Sequence, residues 1–179
     1  MPPPALDRAA IIGLGANLED PPGKILEAVR RLSQTSGLKF LAISSLYLTE
    51  PQGGPPDQAW YCNAVAGFES RLAPERLLAA LLATEEVMGR RRAEPCGPRV
   101  IDLDFLARGD LVIDQPGLIL PHPRLPQRLF VLAPLAEIAP DWRHPVNGRT
   151  AAELLAELDT TGQGLKKMEG AATSLCPAS

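Results

Sequence analysis

The stretch Gly97-Pro98-Arg99-Val100-Ile101-Asp102-Leu103-Asp104-Phe105 limits what this chain of 179 residues can become more than any other. A Gly-Pro turn signal leads into a run of strand formers, continued by Leu106 and Ala107, that also carries two acids. Residues i and i+2 of a strand point to the same side, so Asp102 and Asp104 project together from one face of a mostly apolar strand. Two bare carboxylates that close repel each other and cost desolvation energy. A divalent cation relieves both problems, and Mg²⁺ takes hard oxygen ligands from carboxylates plus substrate phosphates. Arg99, just upstream, offers the forked donors suited to phosphate. Metal, carboxylates and arginine together point to a nucleoside triphosphate. Two acids at this spacing are also a common wet face of an edge strand, and the rest of the chain has to decide.

The length allows one domain with its own core, and 45% apolar and 22% charged residues are ordinary for a globular protein. A net charge of −3 gives no broad footprint for nucleic acid or membrane. Cys62, Cys96 and Cys176 are odd in number and lack metal-ligand spacing, which argues against a disulfide framework and fits a reducing cytoplasm. No apolar run reaches membrane-spanning length, and the start lacks a signal-peptide pattern. Proline is abundant, 19 residues, and much of it sits at Pro51–Pro56, Pro95–Pro98 and Pro116–Pro126, where stiff, ordered loops are expected.

In chain order, Ala9 to Leu14 reads as a short strand, and Gly15-Ala16-Asn17-Leu18 as a turn. A glycine turn after a strand can cradle phosphate, but the Walker lysine-serine ending is absent, so this one reads as architectural. Pro22 opens a helix to about Thr35 with Ile25, Val29 and Leu32 on one face, ended by Gly37. Leu38 to Leu48 reads as a second strand, followed by a glycine–proline loop. Tyr61 to Phe68 reads as a strand with Tyr61, Asn63, Val65 and Gly67 on one face. A ring beside an amide suits a flat heterocycle. On these two residues alone a core tyrosine and a turn-capping asparagine remain the preferred reading.

Ala73 to Met88 is the clearest helix, stopped by Gly89. Arg90, Arg91 and Arg92 follow; they can complement the helix dipole or bring positive charge over a polyphosphate. The loop Gly89 to Gly97 is expected to be mobile without ligands and to close over them. Leu111 to Ile113 and Leu118 to Leu120 read as a hairpin, Pro121-His122-Pro123-Arg124 as a rigid polar turn, and Leu125 to Glu137 as an amphipathic helix interrupted by prolines. Thr150 and Glu153 form a capping-box pattern for a last helix to about Leu158. Residues 1–159 are expected to form the single domain, and 160–179, poor in apolar anchors, a disordered tail. The order strand, helix, strand, strand, helix, strand is the plan of an α+β ferredoxin-like sandwich. It predicts an antiparallel sheet with helices packed on one face, plus C-terminal extras, and leaves the other face for a ligand.

Seven segments in order resemble the 6-hydroxymethyl-7,8-dihydropterin pyrophosphokinase family. They are Gly-Leu-Gly-Ala-Asn-Leu (13–18), Ser-Ser-Leu-Tyr-Leu-Thr-Glu-Pro (44–51), Tyr-Cys-Asn-Ala-Val (61–65), Gly-Arg-Arg-Arg (89–92), Gly-Pro-Arg-Val-Ile-Asp-Leu-Asp (97–104), Pro-His-Pro-Arg (121–124) and Phe-Val-Leu-Ala-Pro-Leu-Ala-Glu-Ile-Ala-Pro (130–140). The resemblance spans about Ala9 to Leu158. It implies a cytoplasmic, monomeric enzyme that moves pyrophosphate from ATP to a pterin alcohol and releases AMP. Asp102 and Asp104 match the pair that holds two Mg²⁺ ions. Tyr61 and Phe130 match the rings that sandwich the pterin, and Asn63, with the chain near Thr49 and Gln52, the groups that read its edge. Glu85, Arg92, Arg99, His122 and Arg128 match positions that contact ATP, and Arg90 and Arg92 the loop arginines that assist catalysis. Cys96 stands where many relatives have tryptophan, Leu82 where some have glutamine, and Gly117 and Ile119 where some have polar residues. A γ-phosphate kinase and a non-catalytic binding module of the same fold are the alternatives.

Overall fold

The computed structural model describes residues 6–51, 57–90 and 97–169. The elements run β1 (Ala10–Ala16), α1 (Pro21–Ser33), β2 (Leu38–Ile43), β3 (Tyr47–Thr49), β4 (Tyr61–Ser70), α2 (Pro74–Val87) and β5 (Asp102–Arg108). A hairpin of β6 (Ile113–Gln115) and β7 (Leu118–Leu120), helices α3 (Leu129–Ile138) and α4 (Ala151–Glu157), and β8 (Leu165–Lys167) complete it. Prolines open α1 and α2, and the Asp20 side chain accepts the Gly23 N–H at 3.2 Å to cap the first. Gly37 and Gly89, each at φ +88°, supply the left-handed residue after each helix. Both bonds of the Thr150–Glu153 capping box are present at the start of α4.

The strands of the main sheet are all antiparallel neighbours in the order β5-β1-β4-β3-β8, with β2 also on β4. With α1 and α2 packed on one face, this is the ferredoxin-like arrangement. In the register, Gly13 lies opposite both Val65 and Asp104, and Gly15 opposite both Asn63 and Asp102. The expected strand from Leu38 to Leu48 is two strands. Ser44 divides it: its hydroxyl oxygen accepts the Val65 N–H at 3.0 Å, replacing a ladder bond by a side-chain one. Gly15 and Ala16 belong to β1 rather than to a turn, because both are paired across the sheet.

Alternation sends Ile12, Leu14, Ala64, Ala66, Leu103 and Phe105 towards Ile25, Val29 and Leu32 of α1 and Leu77 and Leu81 of α2. The opposite face is not left open as a whole. Its Ile11, Val65 and Leu106 are covered by Val131, Leu132 and Leu135 of α3, with Trp142 and Leu154 beyond. The apolar side of α3 needs a partner, and this is the apolar sheet surface that remains. Among the described residues, the end of that face opens to a cavity, where β1, β4 and β5 carry Gly15, Asn63 and Asp102.

The tail is also a correction. Leu165–Lys167 pairs antiparallel with β3, and Met168 packs against the helix-side core. The free edge of β3 offers unpaired backbone groups that a short segment can satisfy, and local composition does not register that partner. Residues 170–179 lie outside the described residues.

Candidate active site

β5 sends Leu103 and Phe105 into the core, and this forces Asp102 and Asp104 onto the other face, beside Gly13 and Gly15 of β1. Asp102 is flanked by two guanidinium groups: Arg90 stands 2.6 Å from Oδ1, and Arg99, three residues upstream, pairs with Oδ2. Arg90 also pairs with Glu85, a buried acid of α2. The same Glu85 Oε1 accepts the N–H of Leu103, between the two aspartates, at 2.7 Å. Burial raises the Glu85 pKa, against the pull of the Leu103 N–H and Arg90. Burial and the neighbouring Asp102 likewise raise that of Asp104, against Arg128, Arg99 and Arg90. Asp104 has Arg128 at 3.7 Å, and the Arg128 guanidinium lies 5.3 Å from the Phe130 ring centre.

The neighbouring wall is built from β3 and β4. Asn63 Nδ2 donates to Thr49 Oγ1 at 2.6 Å, and the Tyr61 hydroxyl donates to the Gly97 carbonyl at 2.8 Å. A Cβ on Gly15 would come 2.7 Å from Asn63 Oδ1, so glycine is what lets the amide lie flat on β1. One cavity brings together Thr49, Tyr61, Asn63, Arg99, Asp102, Asp104, Arg128 and Phe130. Glu85 and Arg90 stand behind it and act on it through Asp102 and the β5 backbone. His122 is not among the lining residues. Its backbone N–H donates to the Leu106 carbonyl at 2.7 Å, and its Nδ1 accepts the Arg124 N–H at 3.1 Å. Burial, then Arg128 and Arg124, lower its pKa and favour the neutral ring. Gln52 and Arg92 lie outside the described residues, as do most of the expected closing loop and Cys96.

The residues of the site that sequence reasoning passed over are Gly13, Gly15 and Glu50, which line the cavity, and Asn17. Asn17 Oδ1 accepts the Arg99 N–H at 2.8 Å, and its Nδ2 donates to the Ala59 carbonyl at 3.1 Å, tying the Arg99 segment to the end of the loop before β4. Glycines at alternate positions of one strand were a usable signal for close approach on one face; nothing local marked Asn17. Arg90 also departs from expectation. It belongs to the loop expected to be mobile without ligands, yet it is held in the site by Glu85 and Asp102.

The model of the 7,8-dihydro-6-hydroxymethylpterin-pyrophosphokinase family matches residues 11–140. The 2-amino-4-hydroxy-6-hydroxymethyldihydropteridine pyrophosphokinase of Methylorubrum extorquens is 42% identical over 153 residues, covering 86% of this chain and 95% of that protein. The protein of the same name from Pseudomonas aeruginosa is 42% identical over 163 residues, covering 89% and 96%. Among solved structures, the wild-type HPPK-DHPS of Plasmodium falciparum superposes with a TM-score of 0.65 at 16% identity, over 83% of this chain. This chain spans only 44% of that longer one, so the likeness concerns the fold.

Proposed function

The chain belongs to the 7,8-dihydro-6-hydroxymethylpterin-pyrophosphokinase family, and from that premise we propose that it transfers pyrophosphate from ATP to 6-hydroxymethyl-7,8-dihydropterin, giving the pterin diphosphate and AMP in folate biosynthesis. The observation that carries this reading is one cavity with two unlike walls. Tyr61, Asn63, Thr49 and Phe130 offer rings and an amide to a flat heterocycle, and Asp102, Asp104, Arg99 and Arg128 offer charge to a polyphosphate.

The hydroxymethyl oxygen attacks the β-phosphorus of ATP and its proton passes to solvent; the bond from that phosphorus to the α–β bridging oxygen breaks, and that oxygen leaves on AMP. Such transfers depend on positioning and charge stabilisation more than on covalent help from the protein. Tyr61 and Phe130 hold the pterin ring, and Asn63, Thr49 and Gln52 select its hydrogen-bonding edge. Arg99, Arg128, Arg92 and His122 receive the nucleotide, with Glu85 holding the β5 backbone and Arg90 in place. Arg90 and Arg92 stabilise charge on the group in transit, Arg90 exchanging Asp102 for phosphate oxygens.

Asp102 and Asp104 fit a hard cation: they are oxygen donors on one strand face, open to the cavity, with arginines supplying their counter-charge. They would hold Mg²⁺, two ions in this reading, which when bound orients the triphosphate and neutralises its charge.

Product analysis tests the proposal. With ATP, Mg²⁺ and the pterin alcohol, AMP and pterin diphosphate are expected in equal amounts. ADP would identify a γ-phosphate kinase, and no nucleotide turnover a binding module.

A further inference from the structure

Helix α3 starts without help from its own N-cap. The first N–H groups of a helix lack intrahelical partners and are usually met by Ser, Thr, Asp or Asn at the N-cap. Here that position is Arg128, whose side chain makes no capping bond. The N–H of Leu129, the first of the helix, donates instead to Oε1 of Gln163 at 2.9 Å, across 34 residues of chain. The same side-chain amide donates from Nε2 to the carbonyl of Asp159 at 3.0 Å and to that of Gln127 at 3.4 Å. Gln163 therefore grips both sides of the bend that leads into α3.

The residues after Gln163 hold the other wall of the cavity. The Gly164 carbonyl accepts the N–H of Glu50 at 3.3 Å, and a Cβ at 164 would lie 2.9 Å from Glu50 Cδ. β8 then pairs along β3, from Thr49↔Leu165 to Tyr47↔Lys167. Met168 anchors the end, with its N–H on the Leu46 carbonyl at 2.9 Å and its side chain against the core.

We propose that residues 159–168 are a strap that sets the spacing of the pterin cavity, with Gln163 as its positioning residue. The strap is bonded to the start of α3, which presents Arg128 and Phe130, and to the Thr49–Glu50 segment across from it. Capping from a distance also releases position 128 from the usual short polar side chain. An arginine can then stand there, over Phe130 and near Asp104. The strap lies outside residues 11–140 that the family model matches. The inference rests on the pterin binding proposed above.

The test is calorimetric titration of the full chain with 6-hydroxymethyl-7,8-dihydropterin, in the presence of Mg²⁺ and a non-hydrolysable ATP analogue, alongside steady-state kinetics. Losing a helix cap of this kind corresponds to about a fivefold change in an equilibrium it controls. Gln163→Ala is therefore expected to weaken pterin binding and raise the pterin KM about fivefold, to raise the ATP KM less through Arg128, and to leave kcat within about twofold. Gln163→Glu keeps the acceptor for the Leu129 N–H and places negative charge at a helix start, but loses the donor to the Asp159 and Gln127 carbonyls, so it is expected to recover part of the lost pterin affinity. Unchanged pterin affinity in Gln163→Ala, a fall in kcat larger than the rise in the pterin KM, or a Gln163→Glu variant no better than Gln163→Ala would each overturn the strap alone. A wild-type chain that binds no pterin would overturn this inference together with the function on which it rests.

Discussion

Two ends of one sheet face, on the same three strands, differ completely in chemistry. At one end Ile11, Val65 and Leu106 are buried under α3 and α4. A step of two or four residues along each strand replaces them with Gly13 and Gly15, Asn63, and Asp104 and Asp102, which line the cavity. Strand periodicity makes this possible: residues on one face recur every second position, so the same alternation that builds a core also delivers functional groups where the covering helix stops. α3 marks the border, burying Val131, Leu132 and Leu135 while its first turn brings Phe130 to the cavity. The covered end supplies stability, and the open end draws on it.

Substitutions at the two ends should therefore separate activity from stability. The largest effect is expected at the open end. Asp102→Ala removes a metal ligand and the partner of Arg90 and Arg99, and turnover should fall roughly a thousandfold, equivalent to ~4 kcal/mol, with the fold intact by circular dichroism. Near-normal turnover at limiting Mg²⁺ would remove Asp102 from the site. At the covered end, Leu106→Ala opens a cavity at a fully buried position and should cost about 2–5 kcal/mol of stability in urea unfolding. Its kcat, measured where the variant is folded, should stay within about twofold of the wild type, since lost core packing acts on stability rather than on the transition state. A large fall in kcat would mean that the two ends are coupled through β5.

Smaller effects divide the open end itself. Phe130→Ala should weaken pterin binding about tenfold while leaving ATP affinity nearly unchanged, because a ring contributes stacking as well as area. Equal losses for both ligands by calorimetry would point to a displaced α3 instead. Gly15→Ala should move Asn63, whose Oδ1 the new methyl would approach to 2.7 Å. A few-fold loss of pterin affinity with an unchanged melting temperature is the expected result; unaltered binding would show that the amide has room to shift.

How much of this was legible in the sequence follows from how local each signal is. Asp102 and Asp104 could be placed on one face because strand alternation is a two-residue rule. The capping box at Thr150 and the helix stops at Gly37 and Gly89 are equally local, and they stand as read. Phe130 could be paired with Tyr61 only through family resemblance, since nothing in either segment points to the other. Most of the remaining differences involve partners distant in the chain. Ser44 interrupts a strand because Val65 offers an N–H. Arg90 rests in the site because Glu85 and Asp102 receive it. Residues near 163 read as disordered because their partners, Leu129, Glu50 and Leu46, are remote in sequence.

The most direct test of the claim that the open end draws on stability is Asp104→Asn, measured without Mg²⁺ or nucleotide for unfolding and with both for turnover. Burial and Asp102 raise the Asp104 pKa above that of the unfolded chain. Any stability its carboxyl contributes is thus present below the ordinary aspartate range and lost as pH rises through the raised value, so at neutral pH the ionised group opposes folding. The account predicts that Asp104→Asn melts higher than the wild type at pH 7, that this advantage shrinks as pH falls through the aspartate range, and that turnover is lost. A variant that melts lower at pH 7, or one that keeps turning over, would contradict it.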